Sequence, residues 1–219
     1  MNKTVIFDMD GTLLYTLDDL LSAVNYALSK NNLPQRTLDE VRAFVGNGVG
    51  KLIERALPNT APVAQFNTVF EDFFSYYESN SDKQTRPYDG ILGMLSALKR
   101  EGFRIAVNSN KYDSAVKSLC KKFFPQVEIA IGAREGIPVK PAPDGVFDII
   151  SALQTEKGTT FFIGDSDVDI QTAKNAGITS IGVTWGYRTR DYLVGADYIV
   201  DSPKELLDLL LKRSIIFFK

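Results

Sequence analysis

One change of rhythm along the chain limits the fold more than any other feature. Past residue 90, short apolar runs alternate with segments of helical spacing, whereas the first such run stands alone far upstream. Val5-Ile6-Phe7 stops at acidic residues and Gly11, and reads as a buried strand that ends in a loop. Further strands are predicted over 103–107, 128–131, 160–163, 180–183 and 198–200. Between them lie helical patterns: Leu92, Leu95 and Leu98 ending at Gly102; Val116 to Phe123; Val146, Phe147, Ile150 and Leu153 behind Pro143; a helix stopped by Gly177; and Leu206 to Leu211. Strands that alternate with helices predict an α/β fold, a parallel sheet covered on both faces.

Residues 15–80 carry no strand signal. Leu17, Leu20, Leu21, Val24, Ala27 and Leu28 recur at helical spacing behind Thr16, with Asp19 three residues on as in a capping box. Asn31-Asn32 and Pro34 end that helix. Thr37 and Glu40 repeat the capping pattern ahead of Val41, Phe44 and Val45, until Gly46-Asn47-Gly48-Val49-Gly50 breaks the run. Leu52, Ile53, Ala56 and Leu57 mark a short helix, and Phe66, Val69, Phe70, Phe73, Phe74 and Tyr77 a last one. The block is therefore read as an all-helical insertion after strand one, with its crossings at 14–16 and 79–82.

Composition narrows the chemistry. The chain has 219 residues, 44% hydrophobic and 24% charged, which excludes disorder and suffices for a real core. Net charge is −2, so no basic footprint for nucleic acid is present. Histidine is absent, which removes Ser-His-Asp and Cys-His catalysis and His-ligated zinc. Cys120 is the only cysteine, so internal disulfides are impossible and a reducing cytoplasm is the expected setting. The N-terminal apolar run is too short for a signal peptide, and no run approaches the ~20 apolar residues of a membrane span.

In an open parallel sheet, ligands bind beyond the carboxyl ends of the strands. Strand one ends in Asp8-Met9-Asp10-Gly11-Thr12, and residues two apart on an extended chain face one side. Asp8 and Asp10 then aim two carboxylates at one point, unless the segment is only a solvated turn. Another strand ends in Gly164-Asp165-Ser166-Asp167-Val168-Asp169. If the two strands are neighbours, four or five carboxylates converge, and a hard divalent cation, Mg2+, is the economical counter-charge. Asp167 reads as helix N-terminal charge instead. Asn108-Ser109-Asn110-Lys111 leaves another strand end with a hydroxyl beside backbone N–H groups, a phosphate clasp or a plain loop. Lys140, held between Val139 and Pro141, could neutralise both a phosphate and the acids.

Asp8-x-Asp10-Gly-Thr12, Ser109, Lys140-Pro141 and Gly164-Asp165-x-x-x-Asp169, in this order, resemble the haloacid dehalogenase-like hydrolase superfamily. Phe44-Val45-Gly46-Asn47-Gly48-Val49, Arg86-Pro87-Tyr88-Asp89-Gly90 and Thr184-Trp185-Gly186-Tyr187 resemble its phosphoglycolate phosphatase-like branch. The resemblance implies a Rossmann-like core, residues 1–14 and 81–219, with a small helical cap at 15–80. It implies a Mg2+-dependent phosphatase acting on a small phosphorylated metabolite. Asp8 would be the nucleophile that forms an aspartyl-phosphate, Asp10 the general acid/base, Ser109 a phosphoryl ligand and Lys140 the charge holder. Asp8, the Asp10 backbone carbonyl, Asp165 and Asp169 would serve the metal. Gly11, Thr12 and Asn110 are expected to bind the substrate, together with Gly46, Asn47 and Gly48 from the cap.

Two departures stand out: Tyr15 occupies a position where relatives often carry an acid, and Ser109 replaces the commoner Thr. Lys51 and Arg55, one turn apart, either face water or meet a substrate carboxylate. Cys120 and Trp185 read as packing. The apolar end, Ser214 to Lys219, reads as docked on the core, or alternatively as a homodimer interface. A phosphomutase of the same fold is the nearest rival function. A phospho-acceptor signalling domain is a rival of another class, although it would lack the helical block, and so is a non-catalytic binding protein. A dehalogenase would leave the second Asp and the later acids unused.

Overall fold

The computed structural model describes residues 3–59 and 61–216. Along the chain the strands are β1 (Thr4–Phe7), β2 (Leu14–Tyr15), β3 (Arg86–Pro87), β4 (Arg104–Tyr112), β5 (Ile129–Ala133), β6 (Thr160–Gly164), β7 (Thr179–Val183) and β8 (Tyr198–Val200). The helices are α1 (Leu17–Lys30), α2 (Leu38–Phe44), α3 (Val49–Ala56), α4 (Val63–Asn80), α5 (Ile91–Arg100), α6 (Asp113–Phe123), α7 (Asp144–Leu153), α8 (Asp167–Ala176) and α9 (Pro203–Ile216). Six strands form a parallel sheet in the order β5-β4-β1-β6-β7-β8. β1 lies between β4 and β6, so the chain ends after strand one and after Ile163 are adjacent.

Period-two alternation sorts the strand residues. Val5, Phe7, Ile105, Val107, Phe161 and Ile163 enter one hydrophobic cluster with residues of α5, α6 and α9. Ile6, Ala106 and Phe162 enter the opposite cluster with residues of α7 and α8. Both faces are thus buried, which is why these strands read as continuous apolar runs. No described helix is long and apolar enough to cross a membrane.

Helices α1 to α4 lie between β2 and β3 and carry a core of their own, including Leu20, Val24, Val41, Ile53, Val69 and Phe73. The chain leaves and re-enters the sheet domain through the antiparallel β2–β3 pair, Leu14 opposite Pro87 and Tyr15 opposite Arg86. The Thr37–Glu40 capping box forms as predicted. The one predicted at Thr16 and Asp19 does not. Asp19 is buried and accepts instead from the backbone N–H groups of Gln84 (3.0 Å) and Thr85 (2.8 Å), tying α1 to the returning crossing. A second difference lies in β4. The sequence pattern ends that strand at Val107, but it continues to Tyr112 with a register shift after Asn108. Polar residues 108–111 are buried there: Asn108 lies against Gly145 of α7, while Asn110 and Lys111 meet Gly46 and Tyr77 of the helical block.

Candidate active site

Asp8 leaves the end of β1 only 8% exposed, and the Lys140 ammonium reaches its carboxylate at 2.7 Å. The same ammonium lies 2.6 Å from Asp169. Asp169, in the first turn of α8, also accepts from the Ser166 N–H (3.1 Å) and hydroxyl (2.6 Å). Asp165 follows β6 and accepts from the Tyr187 backbone N–H at 2.7 Å and the Thr12 hydroxyl at 3.4 Å. One carboxylate oxygen from each of Asp8, Asp165 and Asp169 lies within 4.8 Å of the others. Glycine is required at residue 11: its φ of +87° is left-handed, and a Cβ there would collide with the Asp165 carboxylate.

Three buried carboxylates against one ammonium leave an excess of negative charge. Burial pushes the Asp8 carboxyl up to about 6, against the pull of Lys140. Burial, reinforced by Asp169 and Asp8, pushes Asp165 up to about 8. Burial works against the Lys140 charge, but Asp169 and Asp8 outweigh it and hold the ammonium above the usual lysine range. The donor set is all oxygen, charged and convergent, and therefore fits a hard divalent cation. Such an ion would replace the protons that burial otherwise favours.

Asp10 faces the other side of the site. Both its oxygens meet the Lys111 ammonium at 2.9 Å, and one accepts from the Thr16 hydroxyl at 2.8 Å. Lys111 is buried and lies 4.9 Å from the Tyr77 ring centroid. Asp8, Asp10, Ser109, Lys111, Lys140 and Asp165 line one cleft of about 590 Å3, counting space open to solvent. Val45, Gly46, Gly48 and Val49 of the helical block roof it. A nucleophile-competent carboxylate, a second carboxylate, a hydroxyl and two cations around a metal-compatible cluster suit the displacement of a phosphoryl group.

A haloacid dehalogenase-like hydrolase family model matches residues 5–183. The chain belongs to this family. A phosphoglycolate phosphatase of Agrobacterium fabrum is 32% identical over 98% of this chain and 95% of its own. One of Caulobacter vibrioides is 32% identical over 94% and 92%. A crystal structure from Lactobacillus delbrueckii subsp. bulgaricus, provisionally named a phosphoglycolate phosphatase, superposes with a TM-score of 0.90 at 34% identity, covering 96% of this chain and 99% of that one.

Within this haloacid dehalogenase-like hydrolase the expected residues divide. Asp8, Asp10, Ser109, Lys140 and Asp165 meet at the cleft, with Gly46, Gly48 and Asn110 on its wall, while Asp169 stands behind Lys140. Gly11 and Thr12, expected to bind the substrate, do not line the cleft: both pack against Asp165. Asn47 points away and accepts from Arg55 at 2.9 Å in a separate outer cleft. Asn110 spends its amide N–H groups on the carbonyls of Gly46 (3.1 Å) and Lys140 (3.0 Å). Lys51 pairs with Glu54 at the surface, and neither it nor Arg55 lines the catalytic cleft. Tyr15 sits edge-on to Tyr88 and Tyr187 beneath Arg86. Trp185 packs on the main core and donates to the Thr12 carbonyl at 3.0 Å. Cys120 is buried, its thiol pushed up to about 12 by burial. Residues 217–219 and the side chains from Ser214 lie outside the described residues, and with them the terminal interface reading.

Four residues at the site had no role assigned from the sequence: Lys111, Thr16, Tyr187 and Arg188. Lys111 carried a usable signal, a cation two residues after the clasp hydroxyl, and Tyr187 stood in a motif without a stated role. Thr16 read as an ordinary cap, and Tyr187 and Arg188 act across more than 140 residues of chain.

Proposed function

We propose that this protein is a Mg2+-dependent phosphatase that hydrolyses small phosphomonoesters, phosphoglycolate foremost, through an aspartyl-phosphate on Asp8. The carrying observation is Asp8 itself: a buried carboxylate 2.7 Å from Lys140, in a cleft that Asp10 also lines. The relatives named phosphoglycolate phosphatase, matched almost end to end, support the substrate class.

Asp8 attacks phosphorus, forming an Asp8–phosphoryl bond as the bond to the leaving oxygen breaks. Asp10 gives that oxygen a proton and then takes one from the water that attacks the same phosphorus. Phosphate departs and the Asp8 carboxylate returns. Lys140 offsets the charge of nucleophile and phosphoryl group, and Ser109 holds a phosphoryl oxygen. Mg2+, held by Asp8, Asp165 and the Asp10 carbonyl with Asp169 in support, would supply further screening of the phosphoryl charge. Residues 15–80 act as the cap and the remainder as the catalytic core. A reducing cytoplasm suits a chain whose single thiol is buried.

The test is phosphate release from a panel of small phosphomonoesters, with Mg2+ and after chelation. Mg2+-dependent release, fastest from phosphoglycolate, is expected. Release unaffected by chelation would overturn the metal role. Interconversion of phosphosugars without free phosphate, and only with a bisphosphate activator, would make the protein a mutase.

A further inference from the structure

Arg188, in the segment after β7, reaches across to the helical block. Its guanidinium donates to the backbone carbonyls of Arg42 (2.8 Å), Ala43 (3.4 Å) and Val45. These lie in and just beyond the last turn of α2, so the cation satisfies orphan carbonyls at the negative end of a helix. From the other side of the cleft, Asn110 at the end of β4 donates to the carbonyl of Gly46. Two successive carbonyls of the roof, Val45 and Gly46, are therefore gripped by core side chains from opposite flanks.

Arg188 also stands between two open spaces. It lines the catalytic cleft on one side and, on the other, an outer cleft with Arg55, Asp167 and Tyr192. Its guanidinium lies 5.7 Å from the Tyr192 ring centroid, which orients it across the seam. The preceding residue is anchored at the site: Tyr187 donates its N–H to Asp165, and its hydroxyl meets the N–H (2.7 Å) and hydroxyl (2.9 Å) of Thr16. The arm that grips the roof thus grows from a residue fixed against the acid cluster.

We propose that Arg188 is a positioning residue that seats roof residues 45–48 over the phosphoryl site and thereby makes the enzyme select small substrates. Only its kinetic arm rests on the phosphatase reading. An aryl phosphate, with its wider leaving group, has less use for a seated roof than phosphoglycolate does.

The experiment compares the full chain with Arg188→Met, which keeps the apolar stem, and Arg188→Lys, which keeps the charge but not the fork. In hydrogen exchange of the free protein, amides of residues 41–48 should exchange on the order of tenfold faster in Arg188→Met, with partial recovery in Arg188→Lys. Amides of β1 and β6 should keep their protection, which reports an intact core. The ratio of kcat/KM for phosphoglycolate to that for para-nitrophenyl phosphate should fall on the order of tenfold, mostly through KM. Unchanged exchange at 41–48 would overturn the seating role, and with altered kinetics would make Arg188 a direct substrate ligand. Faster exchange with an unchanged ratio would overturn the selectivity. If the parent chain hydrolyses neither ester, the phosphatase reading fails while the exchange result still judges the seating. Should Arg188→Met not fold, Arg188→Lys is read against the same outcomes.

Discussion

Asp8 and Asp165 both hold protons more tightly than an aspartate in an unfolded chain, near 3.9. Their carboxyls are pushed up to about 6 and about 8, first by burial and then by the nearby Asp169 carboxylate. Without metal, the folded state therefore binds protons that the unfolded chain has released. The stability these groups contribute is complete below about pH 4 and is lost as pH rises through about 6 and then about 8. A divalent cation binds the deprotonated form, so its stabilising effect should grow with pH. Thermal melts of chelated and Mg2+-loaded protein between about pH 5 and about pH 9 should show a widening gap. A gap that is flat or narrows would contradict the assignment of the cation to these acids. The acids themselves were legible, since Asp8 and Asp10 sit two apart at a strand end and Asp165 ends another strand. The service of Gly11 and Thr12 to Asp165 was not, because it is made by a contact across 153 residues of chain.

Local rules held for elements whose ends are free and failed where tertiary contacts compete for the same atoms. Thr37 and Glu40 stand at an exposed helix start and form their capping box. Thr16 and Asp19 have the same residue spacing, but the Thr16 hydroxyl goes to Asp10 and the Asp19 carboxylate to the returning chain. β4 likewise outruns its apolar signal, since Asn108 to Lys111 are buried rather than exposed as loop residues. Asp19→Ala should leave the buried amide of Thr85 and the part-buried amide of Gln84 without their acceptor, at a cost of about 1–3 kcal/mol. Urea denaturation would measure the loss, and hydrogen exchange should show both amides opening early. A stability within about 0.5 kcal/mol of the parent would show that the crossing is not held this way.

At the scale of the molecule, the alternation of runs conveyed a parallel sheet and the lone first strand conveyed a helical block inserted behind it. The sheet order places β1 between β4 and β6 and so gathers the polar strand ends into one place. How the helical block sits on the core was not legible. Tyr112 packs against Phe70 and Phe74 there, and Arg188, Asn110 and Tyr187 bind backbone atoms, contacts that leave no trace in hydrophobic pattern. Burial of Asp8 at the meeting of both halves is what the proposed chemistry rests on. The direct measurement is rapid acid quench during turnover of a radiolabelled phosphomonoester with Mg2+, followed by peptide mass spectrometry. The label should reside on Asp8 in the parent chain and vanish, with turnover reduced at least about a thousandfold, in a folded Asp8→Asn variant. Label on another residue, or full turnover by Asp8→Asn, would contradict it.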